Sequence, residues 1–154
     1  MPAADAPGPA GAASLGAGGR INRRVCGEEP VQDVDVLVVD DELKILEMYG
    51  KRLGWRGIPV RLAGGADEAL AAVEEREPDV VILDVRMPGR DGLEVLAELR
   101  RRHPRVQVIM LTGHASVESA RKGMELGAFD YLIKPVALED LLAKVGEAAK
   151  AARA

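Results

Sequence analysis

The sequence holds one cysteine and four aromatic side chains among 154 residues, and no long apolar run. A lone Cys26 rules out an intramolecular disulfide framework and any multi-cysteine metal site, which fits a reducing compartment. With Trp55, Tyr49, Tyr131 and Phe129 as the whole aromatic complement, the chain lacks a base-stacking platform. Basic excess is absent too. Lys and Arg number 21 against 25 Asp and Glu, a formal charge of -4, which argues against nucleic-acid binding through phosphate neutralisation. No apolar stretch approaches the roughly 20 residues of a membrane span. Residues 1–20 also lack the contiguous apolar core of a secretory signal. What is present, 47% hydrophobic and 30% charged residues, suits a soluble cytoplasmic domain long enough to bury its own core.

Composition changes near residue 33. Residues 1–33 contain 7 Ala, 6 Gly and 4 Pro, so 17 of 33 positions carry little to bury. Such a segment cannot offset its ordering entropy, and the expectation is a disordered tail over 1–33 followed by one domain over 34–154. Arg20, Arg23 and Arg24 in the tail are offset by Asp5, Glu28, Glu29 and Asp33 and read as solvated.

Beyond the tail, strand and helix signals alternate. Short β-branched runs at 34–39, 58–62, 80–83, 106–111 and 129–133 read as strands, the continuous ones buried on both faces. Between and after them lie helical periodicities at 42–53, 66–76, 92–102, 116–126 and 138–152. In the first, Leu43, Leu46, Tyr49 and Leu53 form the apolar stripe and Gly54 the stop. In the last, Leu138, Leu141, Leu142 and Val145 face inward. Five strands each followed by a helix imply an α/β fold: a doubly wound parallel sheet with right-handed crossovers and helices on both faces.

Open parallel sheets bind ligands beyond the carboxyl ends of their strands. Strand one ends in Asp40-Asp41, strand three in Asp84, strand four in Thr112 and strand five in Lys134. One aspartate at a strand end is a cap or turn former; three, with a hydroxyl and an ammonium, are more than capping requires. The carboxylates repel one another unless a cation joins them, and hard oxygen donors suit Mg²⁺. With Mg²⁺ and Lys134 offsetting charge, Asp84 can act as a nucleophile towards phosphorus, and Thr112 can donate to a phosphoryl oxygen.

Four strings carry a resemblance: Val36-Leu37-Val38-Val39-Asp40-Asp41-Glu42; Leu83-Asp84-Val85-Arg86-Met87-Pro88-Gly89-Arg90-Asp91-Gly92; Leu111-Thr112-Gly113; and Asp130-Tyr131-Leu132-Ile133-Lys134-Pro135. Together, in this order and spacing, they resemble the receiver domain of bacterial two-component response regulators over residues 34–150. The resemblance implies a flavodoxin-like five-stranded sheet of order 2-1-3-4-5. It implies a phosphorylation-activated switch, with Asp84 as phosphoacceptor from a sensor histidine kinase. Mg²⁺ falls to Asp40, Asp41, Asp84 and the backbone carbonyl of Arg86. Lys134 pairs with the acceptor carboxylate and then the phosphoryl group, and Thr112 and Tyr131 form the switch pair. A cis peptide is implied at Lys134-Pro135.

A protein target is expected on the face of the fourth helix, fifth strand and fifth helix. The chain is expected to bind neither nucleic acid nor membrane directly, and to be a monomer or a phosphorylation-linked dimer. Such a domain is not an enzyme in the usual sense, catalysing only its own phosphoryl transfer and slow autodephosphorylation. With no output segment after the last helix, a stand-alone switch or phosphorelay module is the leading expectation. The alternatives are the receiver part of a larger transcriptional regulator or hybrid kinase, or a phosphate-independent binding module.

Blander roles compete for some residues. Asp40 or Asp41 is expected to cap the first helix as well as serve the site. Tyr131 can be strand packing, and His114 an exposed loop residue. Arg100, Arg101, Arg102 and His103 end a helix, where cations complement the dipole, and read as a solvated face. A phosphatase of the haloacid dehalogenase type needs a second aspartate where Arg86 stands. A dinucleotide-binding domain needs a glycine-rich turn where Asp40-Asp41 stands.

Overall fold

The computed structural model describes residues 34–154 except Pro88, His114 and Ala115. The expected tail with Cys26, Arg20, Arg23 and Arg24, the Pro88 turn and the role of His114 lie outside the described residues. Five strands and five helices alternate along the chain: β1 (Val36–Val39), α1 (Leu43–Trp55), β2 (Val60–Ala63), α2 (Ala66–Glu75), β3 (Val80–Leu83), α3 (Gly92–Arg102), β4 (Gln107–Thr112), α4 (Val117–Glu125), β5 (Asp130–Ile133) and α5 (Leu138–Arg153). The strands form one parallel sheet of order β2-β1-β3-β4-β5.

β1 and β3 are four-residue apolar runs buried throughout, because helices cover both sheet faces. Alternate residues feed two cores. Leu37, Val39, Val81, Leu83, Val108 and Met110 pack with Val73 of α2 and Leu96 and Leu99 of α3. Val36, Val38, Val80, Ile82, Ile109 and Leu111 pack with Leu46 and Leu53 of α1 and Leu141 and Val145 of α5. Each fully buried leucine of this kind contributes about 2 kcal/mol through burial alone.

Four expectations need correction. Gly54 does not stop α1, which runs on to Trp55. The chain turns at Gly57 (φ 83°), and the N–H of Ile58 folds back onto the Leu53 carbonyl. That bond and Pro59 delay β2 to Val60, two residues later than the apolar run suggested. Leu43 is not part of the buried stripe: it is the first residue of α1 and 69% exposed, while Leu46, Tyr49 and Leu53 are buried. Neither Asp40 nor Asp41 caps α1. Glu42 occupies the cap position without a side-chain bond, and Asp40 Oδ1 instead accepts from the Glu42 N–H at 2.9 Å.

The basic run that ends α3 is also not a uniformly solvated face. Arg100 donates to the Val106 carbonyl, Arg102 pairs with Glu74 and Glu98, and His103 meets Glu74 and Glu77.

Candidate functional site

Parallel register brings the ends of β1 and β3 level, with Leu83 paired to Met110, while β4 and β5 run on to the Thr112–Ile133 pair, so residues just past β1, β3 and β5 meet at one edge. Val39 pairs with Leu83 across β1 and β3, which sets Asp40 beside Asp84, and the Asp84 N–H donates to the Val39 carbonyl at 3.1 Å. Thr112 pairs with Ile133, and the Lys134 N–H donates to the Thr112 carbonyl at 2.8 Å. Lys134-Pro135 is cis.

The side chains converge. One carboxylate oxygen each from Asp40, Asp41 and Asp84 lies within 4.8 Å of the other two. Lys134 Nζ is 2.8 Å from Asp40 Oδ2 and 3.5 Å from Asp84 Oδ2. The remaining oxygen of Asp84 accepts from the Arg86 N–H at 3.1 Å. Asp40 (3% exposed), Asp84 (7%) and Thr112 (0%) are buried, whereas Asp41 and the Arg86 side chain face solvent. The cluster is therefore closed below and open on the Asp41 side.

Three carboxylates and one ammonium make an under-neutralised site. Burial alone pushes the Lys134 ammonium towards losing its proton. The hydrogen bond and charge of Asp40, with the charge of Asp84, overcome this and hold its pKa above the ordinary lysine value. Lys134 is thus a fixed cation with more negative charge around it than it can balance.

Tyr131 on β5, three residues before Lys134, is paired with Met110 and packed at the edge of the core. Its hydroxyl oxygen is out of solvent, with Ser119 nearby. Burial raises its pKa, the approach of Ser119 opposes this, and the Asp84 charge adds to the rise.

Two contributors escaped the sequence reading. Tyr49 is buried on α1 as core spacing suggests, yet the charges of Lys134 and Asp40 act on its hydroxyl; burial is what raises its pKa most. Gly92 opens α3 by donating to the Val85 carbonyl at 2.7 Å, and a Cβ there would collide with the Asp84 carbonyl oxygen. Only glycine lets α3 start this close to the Asp84 loop. Asp91 then caps the helix, its Oδ1 accepting from the Leu93 N–H at 2.8 Å.

The donor set is all oxygen and anionic, the preference of a hard dication such as Mg²⁺ rather than of a soft metal. Among the described residues, Asp40, Asp41 and Asp84 are the one group of three or more such ligands close enough to share an ion.

Comparison with known proteins agrees with this geometry. The family model of the response regulator receiver domain matches residues 36–146. The probable transcriptional regulatory protein TcrX of Mycobacterium tuberculosis is 40% identical over 114 residues, which is 74% of this chain and 49% of that protein. The response regulator MprA of Mycobacterium sp. (strain KMS) is 43% identical over 112 residues, 73% of this chain and 49% of MprA. The chain thus spans about half the length of these curated relatives. A CheY-like response regulator receiver domain protein from Methanospirillum hungatei JF-1 superposes with a TM-score of 0.75 at 32% identity, covering 78% of this chain and 96% of that one.

Proposed function

The chain belongs to the response regulator receiver family, and on that premise we propose that Asp84 takes a phosphoryl group from the phosphohistidine of a sensor kinase. The observation that carries this reading is the under-neutralised cluster: Asp40, Asp41 and Asp84 around Lys134, buried on one side and open on the other. An Asp84 carboxylate oxygen attacks phosphorus and forms the new P–O bond. The P–N bond to the donor imidazole breaks, and that nitrogen keeps the electron pair and takes up a proton.

Asp40, Asp41, Asp84 and the Arg86 backbone carbonyl would hold Mg²⁺, which when bound offsets charge on the transferring group. Lys134, poised between Asp40 and Asp84, neutralises phosphoryl oxygen on the product. The Arg86 N–H fixes one Asp84 oxygen and so leaves the other for attack.

The switch then runs through β4 and β5. The Thr112 hydroxyl donates to a phosphoryl oxygen, and Tyr131 moves into the space that Thr112 leaves. The readout surface is the α4–β5–α5 face, where Val117 (85%), Ile133 (57%) and Met124 (47%) are exposed and fit an apolar protein partner. Among the described residues no helix is long and apolar enough to cross a membrane.

The test is incubation with acetyl phosphate, with and without Mg²⁺, read by intact mass after acid quench. One Mg²⁺-dependent phosphoryl adduct on the wild-type chain, absent from Asp84→Asn, is expected. Equal labelling of Asp84→Asn would move the acceptor elsewhere.

A further inference from the structure

The end of α3 away from the carboxylate cluster carries a second titratable group with an unusual setting. His103 is the C-cap of α3, and its side chain is 16% exposed. The imidazole lies between two carboxylates, with Nδ1 2.9 Å from Glu77 Oε2 and Nε2 2.9 Å from Glu74 Oε2. Glu74 belongs to α2, and Glu77 to the segment that joins α2 to β3.

We propose that His103 is a proton-operated clasp, which ties the end of α3 to α2 as an imidazolium and releases it on losing that proton. A neutral imidazole has one N–H and one lone pair. Whichever tautomer it adopts, one ring nitrogen then turns a lone pair towards a carboxylate oxygen at 2.9 Å, which is repulsive. The doubly protonated ring donates to both, so this geometry selects the cation.

The charged groups around the ring agree. Glu74 faces it from α2 and Glu77 from the following loop. Arg102 precedes it on α3, with Nη2 2.7 Å from the same Glu74 oxygen and Nη1 3.0 Å from Glu98 Oε2. Arg102 therefore takes up part of the Glu74 charge, and Glu98 part of that of Arg102. Glu77 pairs with His103, and the α3 dipole adds a preference for a cation at this end. Burial pushes the ring towards neutrality, but the two carboxylates outweigh it and raise the pKa above the usual histidine value of 6.5.

Because the folded pKa lies above the unfolded one, the contribution of the clasp is complete below the unfolded value and is lost as pH rises through the folded value. That window opens above the ordinary histidine value of 6.5. The clasp also communicates with the site through α3 itself, whose first residue, Gly92, is wedged against the Asp84 backbone. Release frees the far end of the helix whose near end supports the acceptor loop.

The experiment is an NMR titration of the histidine ring signals from about pH 5 to 9, with unfolding curves over the same range. The sequence has two histidines, and His103→Gln identifies the His103 signal by its loss. His103 is expected to titrate above 6.5. The folding equilibrium constant of the wild type is expected to fall relative to His103→Gln as pH rises, tenfold for each unit by which folding raises the pKa. Glu77→Gln, which keeps the ring and removes one acceptor charge, is expected to lower the His103 pKa, and it supplies the answer should His103→Gln fail to fold. A His103 pKa at or below 6.5 would overturn the proposal, as would parallel stability profiles for the wild type and His103→Gln.

Discussion

At the amino-terminal edge of the sheet, Asp35 and Asp79 are met by Arg61, Arg76 and Arg153; at the carboxyl edge, Asp40, Asp41 and Asp84 share Lys134. The first cluster closes on itself. Arg76 Nε lies 2.9 Å and Arg61 Nη2 3.3 Å from Asp35, Arg153 Nη2 lies 2.9 Å from Asp79, and the Asp35 N–H donates to Asp79 Oδ2 at 3.0 Å. Arg61 also caps the end of α2 through the carbonyls of Ala72 and Arg76. Three cations there meet two carboxylates, and the network ties β1, β2, β3, α2 and α5 together.

The second cluster is buried at two of its aspartates and short of positive charge. Its geometry costs stability in the folded chain, and on the proposed function it becomes favourable once a dication and a phosphoryl group are bound. Carboxylates fully covered by cations mark the edge that ties the elements together, and carboxylates in excess mark the edge proposed to do the chemistry.

Substitutions at the two edges therefore differ in kind. The largest expected effect is functional: Asp84→Asn loses phosphoryl incorporation, as intact mass would register. Next is Lys134→Ala, which strips Asp40 of its partner while Asp40 stays buried. Chemical denaturation is expected to show a loss of about 3 kcal/mol without Mg²⁺, partly recovered when Mg²⁺ is added. The same lysine sets an alkaline limit. Its folded pKa is raised, so its contribution is complete below the ordinary lysine value and fades as pH climbs through the folded value. An alkaline stability scan of the wild type against Lys134→Met should show that fading only in the wild type.

At the amino-terminal edge, Asp79→Ala removes the acceptor of the Asp35 N–H and leaves Arg153 without this partner, a loss of about 1–2 kcal/mol after allowing for partial exposure. Smallest is Asp91→Ala. It lies near the site but caps α3 rather than joining the cluster, so about 1 kcal/mol should be lost in an unfolding titration with the Mg²⁺ response intact.

Much of this was legible in the sequence because parallel α/β folds write their plan locally. β-branched runs gave all five strands, helical spacing gave all five helices, and the residues after Val39, Leu83 and Ile133 are the ones that converge in the cluster. What was hidden depends on tertiary approach. Leu43 looks like stripe by spacing, yet α1 meets the sheet through the face of Leu46, Tyr49 and Leu53. The extension of α1 past Gly54 follows from Gly57 supplying the left-handed turn, which spacing alone does not reveal. The pairing of Asp35 with Arg61 and Arg76, and of His103 with Glu74 and Glu77, joins residues 26 or more positions apart that share no periodicity.

The most direct measurement compares the two edges in one titration: the stability of wild type, Asp84→Asn and Asp79→Asn as Mg²⁺ is raised. Asp84→Asn is expected to be more stable than wild type without Mg²⁺ and to lose most of the gain that Mg²⁺ gives. Asp79→Asn is expected to be less stable throughout and to keep the full gain. A destabilised Asp84→Asn, or one that Mg²⁺ stabilises as much as wild type, would contradict the account.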